Sequence, residues 1–149
     1  MGTGSSQVAG SIAVVDTNVV VYYLLGTDHQ HEEAANAFSH GLQLLAPASM
    51  RAELLSAIWQ AERKGVCSLE DGIGLLELTN SLLSVMVPVE ALWREALVAA
   101  VEAGVSPYDT LFVVLAEREG CFLLSFDEEL LRKFPLIVRC PGRHGLRRD

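Results

Sequence analysis

Cysteine is scarce in this chain of 149 residues and badly spaced for chemistry. Cys67, Cys121 and Cys140 are odd in number and form no CxxC pair, so neither a disulfide framework nor a thiolate zinc site is indicated, and the three read as reduced thiols. Positive charge is scarce too. Eleven Lys and Arg face 19 Asp and Glu, a formal charge of -8, which opposes unassisted binding to a polyanion. Nucleic-acid chemistry on such a chain needs a local remedy: a bound divalent cation that inverts the field, or a basic segment such as RCPGRHGLRRD over 139–149. Long apolar runs are missing. The longest span about eight residues against the ~20 that cross a bilayer, and MGTGSSQVAGS at the start lacks basic residues and an apolar signal core. These absences predict a cytoplasmic protein with no membrane association, whose residues 1–10 are a flexible leader or cloning remnant. A GxSxG nucleophile turn and a Gly-rich phosphate loop are absent as well.

What is present is apolar surface enough for one core: half of the residues are apolar, sufficient to cover both faces of a sheet in a single domain. Ile12–Val15 reads as a buried strand and Val19–Leu25 as a short helix beyond Asp16-Thr17-Asn18. HQHEEAANAFSHG over 29–41 has helical spacing, and LQLLAPA reads as a second strand. Ser49 is placed as N-cap of a helix over 50–64 with Leu54, Leu55, Ile58 and Trp59 on one stripe. A helix from Ser68 carries two interior glycines, a third strand covers 83–89, and a helix over 89–104 is closed by Gly104. Ser106 as cap and Pro107 at the first position start the next helix, which runs to Gly120. CFLLS over 121–125, a short helix over 126–133 and LIV over 136–138 complete the pattern. Strands separated by helices predict an α/β domain with a mostly parallel sheet of four to five strands over 11–138, followed by a basic tail over 139–149.

Four acids sit where a plain core would not put them. Asp109 opens a helix that is apolar nearly all round, LFVVLA, and a buried carboxylate is costly unless paired, capped or bound to a metal; Ser106-Pro107-Tyr108-Asp109 also has the form of a capping box. Asp16 and Asp127 each follow an apolar strand and precede a helix, which suits an N-cap. In a parallel sheet, however, successive strands end at one edge, and that edge carries the ligand crevice of open α/β folds. Glu53, early in the helix after the second strand, lies near the same edge. His29 and His31 precede Glu32 and Glu33, but positions i and i+2 diverge on a helix, so a solvated helix start is the better reading. Trp59 and Trp93 lie on apolar stripes and read as core or dimer-interface anchors rather than base-stacking platforms.

The order IAVVDTN over 12–18, SMRAEL over 49–54, SPYDTL over 106–111 and LLSFD over 123–127 resembles the PIN-domain ribonucleases, and among them the VapC-type toxins of toxin-antitoxin pairs. The resemblance covers residues 11–138 and implies the three-layer α/β/α PIN fold. It also implies an acidic catalytic quartet of Asp16, Glu53, Asp109 and Asp127, with Asn18 and Ser125 as supports. Ser125 stands where many relatives have Thr and keeps the hydroxyl. Glu128 and Glu129 beside Asp127 leave open which acid faces the site.

Converging carboxylates repel and stay ionised together mainly around cations, and an all-oxygen set suits Mg²⁺ or Mn²⁺. Asp16, Asp109 and Asp127 are then the expected metal ligands, with Glu53 acting through water or as a base. The implied activity is metal-dependent endonucleolytic hydrolysis of RNA. The implied partners are a VapB-type antitoxin that covers the acidic site and a second copy in a homodimer. Arg139, Arg143, Arg147 and Arg148 are possible RNA contacts. Two other readings remain: a PIN nuclease of RNA processing outside a toxin system, and a PIN-like binding module without catalysis.

Overall fold

In the computed structural model, which describes residues 11–26, 28–39 and 41–142, Ile12–Val15 forms β1, Thr17–Leu25 α1, His29–Phe38 α2, Gln43–Pro47 β2, Met50–Arg63 α3, Leu69–Leu82 α4 and Val85–Val87 β3. A 3₁₀ turn at Val89–Ala91 leads into α5, Trp93–Ala103, then α6, Pro107–Glu119, β4, Leu123–Leu124, α7, Glu128–Lys133, and β5, Val138–Arg139. The expected leader, 1–10, and Arg143, Arg147 and Arg148 lie outside the described residues.

The five strands are all paired in parallel, in the order β3-β2-β1-β4-β5. The chain walks from β1 through β2 to β3 in one direction, then crosses back to β4 on the other side of β1. By the right-handed rule for crossovers between parallel strands, this order assigns α1 to α4 to one face of the sheet and α5 to α7 to the other, in keeping with a three-layer fold. The reversal between β1 and β4 is the topological switch point, where open parallel sheets leave a crevice at their carboxyl ends. Ala13, Val14, Val15, Leu123 and Leu124 are at most 1 % exposed, as expected of strands covered on both faces.

The most buried helix is α6. Every residue from Thr110 to Ala116 is buried, because the helix packs across β1 and β2 on one side and against α5 on the other. Its one buried hydroxyl is satisfied: Thr110 Oγ1 donates to the Ala96 carbonyl at 2.7 Å. Gly104 and Gly120 end α5 and α6 at φ 65° and 64°, the left-handed conformation that favours glycine at a helix stop. No single helix among the described residues is long and apolar enough to cross a membrane; α5 and α6 pass such a test only as a pair bent by 114°.

Several expectations shift. Ser49 stands at the N-cap position of α3 as expected, but its side chain makes no capping bond: its backbone is already helical (φ -59°, ψ -22°), the helix bonds start from Ala48, and among the described residues its buried Oγ has no partner. The stripe on α3 splits, since Leu54 and Ile58 are buried but Leu55 and Trp59 are 58 % and 56 % exposed. Those two face a groove against Leu69, Ile73 and Leu76 of α4. The helix expected over 89–104 breaks at Leu92, which is wholly buried and has non-helical φ, so regular turns start only at Trp93. Gly72 is where α4 approaches α3, because a Cβ there would meet Ile58 Cγ2 at 2.9 Å, whereas Gly74 faces open space.

Candidate functional site

β1 ends at Asp16, whose backbone N–H donates to the Leu124 carbonyl at 2.9 Å, so the ends of β1 and β4 are tied together at the switch point. The Asp16 side chain is 6 % exposed. Its Oδ1 accepts from the Thr17 N–H at 2.8 Å; its Oδ2 accepts from Ser125 Oγ at 2.7 Å and from Asn18 Nδ2 at 3.4 Å. Asp16 thus is the cap of α1 and also projects into the crevice. Ser125, fully buried, accepts from the Asp127 N–H at 3.0 Å while it donates to Asp16. Asn18 closes the frame, its Oδ1 accepting from the Phe126 N–H at 3.2 Å. The expected supports, Asn18 and Ser125, therefore lock α1 to the β4–α7 connection, and Tyr22 and Phe126 add an edge-to-face ring contact at 5.4 Å.

The remaining acids come from three further segments. Glu53, in the first turn of α3, accepts from Thr17 Oγ1 at 2.5 Å. Asp109, in the first turn of α6, does not complete a capping box: Ser106 Oγ accepts from the Tyr108 N–H at 3.2 Å, and no hydrogen bond reaches the Asp109 carboxylate among the described residues. Asp127 caps α7, its Oδ1 accepting from the Leu130 N–H at 3.1 Å. All four line one open cavity of about 520 Å³, together with Thr17, Asn18, Tyr22 and Ser56. Among the described residues no Lys, Arg or His is on its wall.

The electrostatic consequence is visible in the acids themselves. Burial, reinforced by Asp109 and Glu53 and only partly offset by the Ser125 and Thr17 hydrogen bonds, pushes Asp16 up from 3.8 to about 7. Asp109 is raised to about 6 by burial and by the charges of Asp127, Glu53 and Glu129. Glu53 is raised by burial, against the hydrogen bond from Thr17. A cavity of oxygen donors that resist ionisation for want of positive charge is chemically suited to a hard divalent cation. The side chains are not closed around one: no three His, Cys, Asp or Glu among the described residues form a ready cage.

Glu128 is exposed and lines a separate cavity with Asp28, His29 and Glu33; of Asp127, Glu128 and Glu129 it is Asp127 that lines the crevice, while Glu129 acts on Asp109 through its charge. His29 meets Glu33 at 3.6 Å and His31 Nδ1 meets the Tyr22 carbonyl at 3.1 Å; the two histidines diverge as expected. Arg139 lies in β5 rather than in a tail. Its Nη1 donates to the Pro135 and Val138 carbonyls at 2.7 and 2.9 Å and its guanidinium stacks on Phe122, so it braces the strand. Thr17 is the residue that sequence reasoning passed over; only its place between Asp16 and Asn18 marked it.

A PIN-domain family model matches residues 13–135. The chain belongs to the PIN-domain family. It is 30 % identical over 128 residues, 84 % of this chain and 96 % of the relative, to Ribonuclease VapC3 of Pyrobaculum aerophilum. A crystal structure of PAE2754 from Pyrobaculum aerophilum superposes with a TM-score of 0.65 at 22 % identity, covering 87 % of this chain and 83 % of that one. VapBC2 from Rickettsia felis, solved bound to a DNA fragment from its promoter, superposes at 0.62 and 17 % identity, covering 88 % and 99 %. The PIN match spans β1 through α7 and includes all four acids that line the cavity.

Proposed function

We propose that this PIN domain is a divalent-metal-dependent endoribonuclease and the VapC-type toxin of a toxin-antitoxin pair. The observation that carries the reading is the convergence of Asp16, Glu53, Asp109 and Asp127 from four separate segments onto one cavity at the sheet's switch point, with no cationic side chain on its wall among the described residues. Asp16, Asp109 and Asp127 would hold Mg²⁺ or Mn²⁺, and a metal bound there would neutralise charge at the scissile phosphate and acidify water for in-line attack.

The chain's own residues set the stage for that chemistry. Ser125 and the Thr17 N–H fix Asp16 from two sides, so its rotamer is set before substrate arrives. Thr17 Oγ1 holds Glu53 at the rim, and a partly buried carboxylate with a raised pKa is suited to accept a proton from attacking water. The Pro107-initiated turn places the Asp109 backbone, and Asp127 is fixed by its cap bond to Leu130.

The antitoxin would place a basic side chain among the carboxylates and lay an apolar segment in the α3–α4 groove, about 320 Å³, lined by Leu55, Trp59 and Ile73 and neighbouring Ser56 at the cavity wall. A homodimer would cover Val98 and Val101, 51 % and 76 % exposed on α5. A protein with no membrane-crossing helix among its described residues and an RNA substrate belongs in the cytoplasm. The deciding experiment is cleavage of RNA with Mg²⁺ or Mn²⁺: Asp16→Asn and Asp109→Asn should each abolish it while Glu128→Gln retains it. Retained activity in both Asn variants would refute the assignment.

A further inference from the structure

Two polar residues on the wall of the acidic crevice have no task inside the chain. Of the side chains there that can donate a hydrogen bond, Thr17 Oγ1 gives its proton to Glu53, and Asn18 Nδ2 is directed at Asp16 and Ser125. Tyr22 and Ser56 line the same cavity, and neither hydroxyl has a hydrogen-bond partner among the described residues. Water still reaches both, since Ser49 Oγ is the one buried side-chain polar atom left unpartnered among those residues. Helical spacing accounts for their place. Tyr22 follows Asn18 by four positions on α1, and Ser56 follows Glu53 by three on α3, so each hydroxyl stands about one 5.4 Å turn from a residue of the site, on the same helix face.

We propose that the Tyr22 and Ser56 hydroxyls grip the RNA backbone, each donating a hydrogen bond to a non-bridging phosphate oxygen of the strand that crosses the carboxylates. The inference rests on the nuclease reading and names what holds the substrate beside the metal ligands. A phosphodiester entering this crevice faces four acids, and a chain of formal charge -8 offers it little general attraction. Donors are therefore needed on the wall itself. A lysine or arginine there would pair with the carboxylates and compete with a metal for them, whereas a hydroxyl donates to phosphate and leaves the carboxylate charge to the metal.

Tyr22 is also set in place before a strand arrives. Its ring meets Phe126 edge to face at 5.4 Å, and the Phe126 N–H is held by Asn18 Oδ1. Its carbonyl accepts from the Gly26 N–H at 2.9 Å and meets His31 Nδ1 at 3.1 Å. Ring and backbone are thus both engaged, and the hydroxyl alone is left to gain a partner. Little side-chain freedom remains to be lost on binding. The apolar α3–α4 groove carries Ser68 as its one hydroxyl and Glu62 as its charge, a lining that suits a protein segment rather than a phosphate.

The test separates the hydroxyls from the ring and from the fold. In a chain carrying Asp16→Asn to prevent cleavage, a fluorescein-labelled single-stranded RNA of mixed sequence is titrated in Mg²⁺ and followed by anisotropy. Tyr22→Phe, which keeps the ring and its contact with Phe126, and Ser56→Ala should each raise Kd about tenfold, the lower end for a hydrogen bond to a charged group, with Tm unmoved. A 2′-deoxy strand of the same sequence should show the same fold losses. In the active chain each change should raise KM about tenfold with kcat little changed, as for a contact made equally in the ground and transition states. Unchanged Kd and KM in both variants would overturn the proposal and leave the nuclease reading standing. Losses confined to the RNA strand would overturn it in favour of a contact with the 2′-hydroxyl, and a loss in kcat alone in favour of a part in the chemical step. A Tyr22→Phe chain that melts earlier in proportion to its loss of binding would return Tyr22 to packing. Absence of metal-dependent cleavage by the unaltered chain would refute the nuclease reading, and the anisotropy titrations would still decide whether the hydroxyls hold a strand.

Discussion

Replacing Asp16 by Asn should make the metal-free protein more stable at pH 8 while it destroys activity. Asp16 moves from an ordinary 3.8 to about 7 on folding, a gap of about three pH units, and at about 1.4 kcal/mol per unit the ionised side chain costs the fold about 4 kcal/mol. The sign follows from the raised folded value. Below pH 3.8 both states are protonated and the cost is absent; between about 4 and 7 the unfolded chain ionises first, and stability falls until the full cost is present above about 7. Asn removes that cost but sets its amide against Asn18 Nδ2 and reverses the polarity seen by Ser125 Oγ, an offset of about 1–2 kcal/mol. The net gain at pH 8 is about 2 kcal/mol, or about 4–8 °C in Tm for a chain of this size. Thermal melts followed by circular dichroism in EDTA at pH 5 and pH 8 would measure it. Mg²⁺ should reverse the order, because it stabilises only the chain that binds it, by about 2.7 kcal/mol at a hundred times Kd. A variant less stable than the parent at pH 8 in EDTA, or a difference that ignores pH, would refute the claim that Asp16 is strained by burial among like charges.

Other consequences are narrower. Ser125→Ala removes a fully buried hydroxyl that serves Asp16, Asn18 and Asp127, and should cost about 1–3 kcal/mol in urea unfolding together with at least a tenfold loss of cleavage; Ser125→Thr, which keeps the hydroxyl, should retain most activity. Thr17→Val frees Glu53 and should lower kcat with little change in Tm, measured on the same RNA. Two glycines of one helix should respond oppositely: Gly72→Ala drives a methyl against Ile58 and should destabilise by about 1–3 kcal/mol, while Gly74→Ala, facing open space, should stabilise by about 0.5–1 kcal/mol through helix propensity. Equal effects at the two sites would contradict the close α3–α4 packing.

How much of this was legible beforehand depends on the range of the interaction. The start of α6 at Ser106-Pro107 and its stop at Gly120 are local signals, and the structure keeps both. The parallel pairing of the strands follows from strands alternating with helices, because parallel strands need crossovers, but their order does not. Contacts between elements were not legible. Helical spacing put Leu55 and Trp59 with Leu54 and Ile58, but only the position of α4 decides which pair is covered. The failed cap at Ser49 turns on one residue of register, and the break at Leu92 on a side chain drawn wholly into the core. Thr17 was invisible because its partner, Glu53, lies 36 residues away.

The acids themselves raised a choice between helix cap and site, and the structure dissolves it. Asp127 spends Oδ1 on the Leu130 N–H, and no hydrogen bond reaches its Oδ2 among the described residues. Asp16 gives Oδ1 to Thr17 and Oδ2 to the Ser125 hydroxyl. At Asp127 one oxygen holds the first turn of the next helix, which fixes the rotamer, and the other is left for the crevice the residue lines; at Asp16 both oxygens are held, and the carboxylate lines the crevice already fixed from two sides. Capping therefore positions the charge. At Asp109 no such bond forms among the described residues, and the Pro107-initiated turn places only its backbone. That is why strand-end acids that look like ordinary caps one at a time converge when the fold brings their strand ends together.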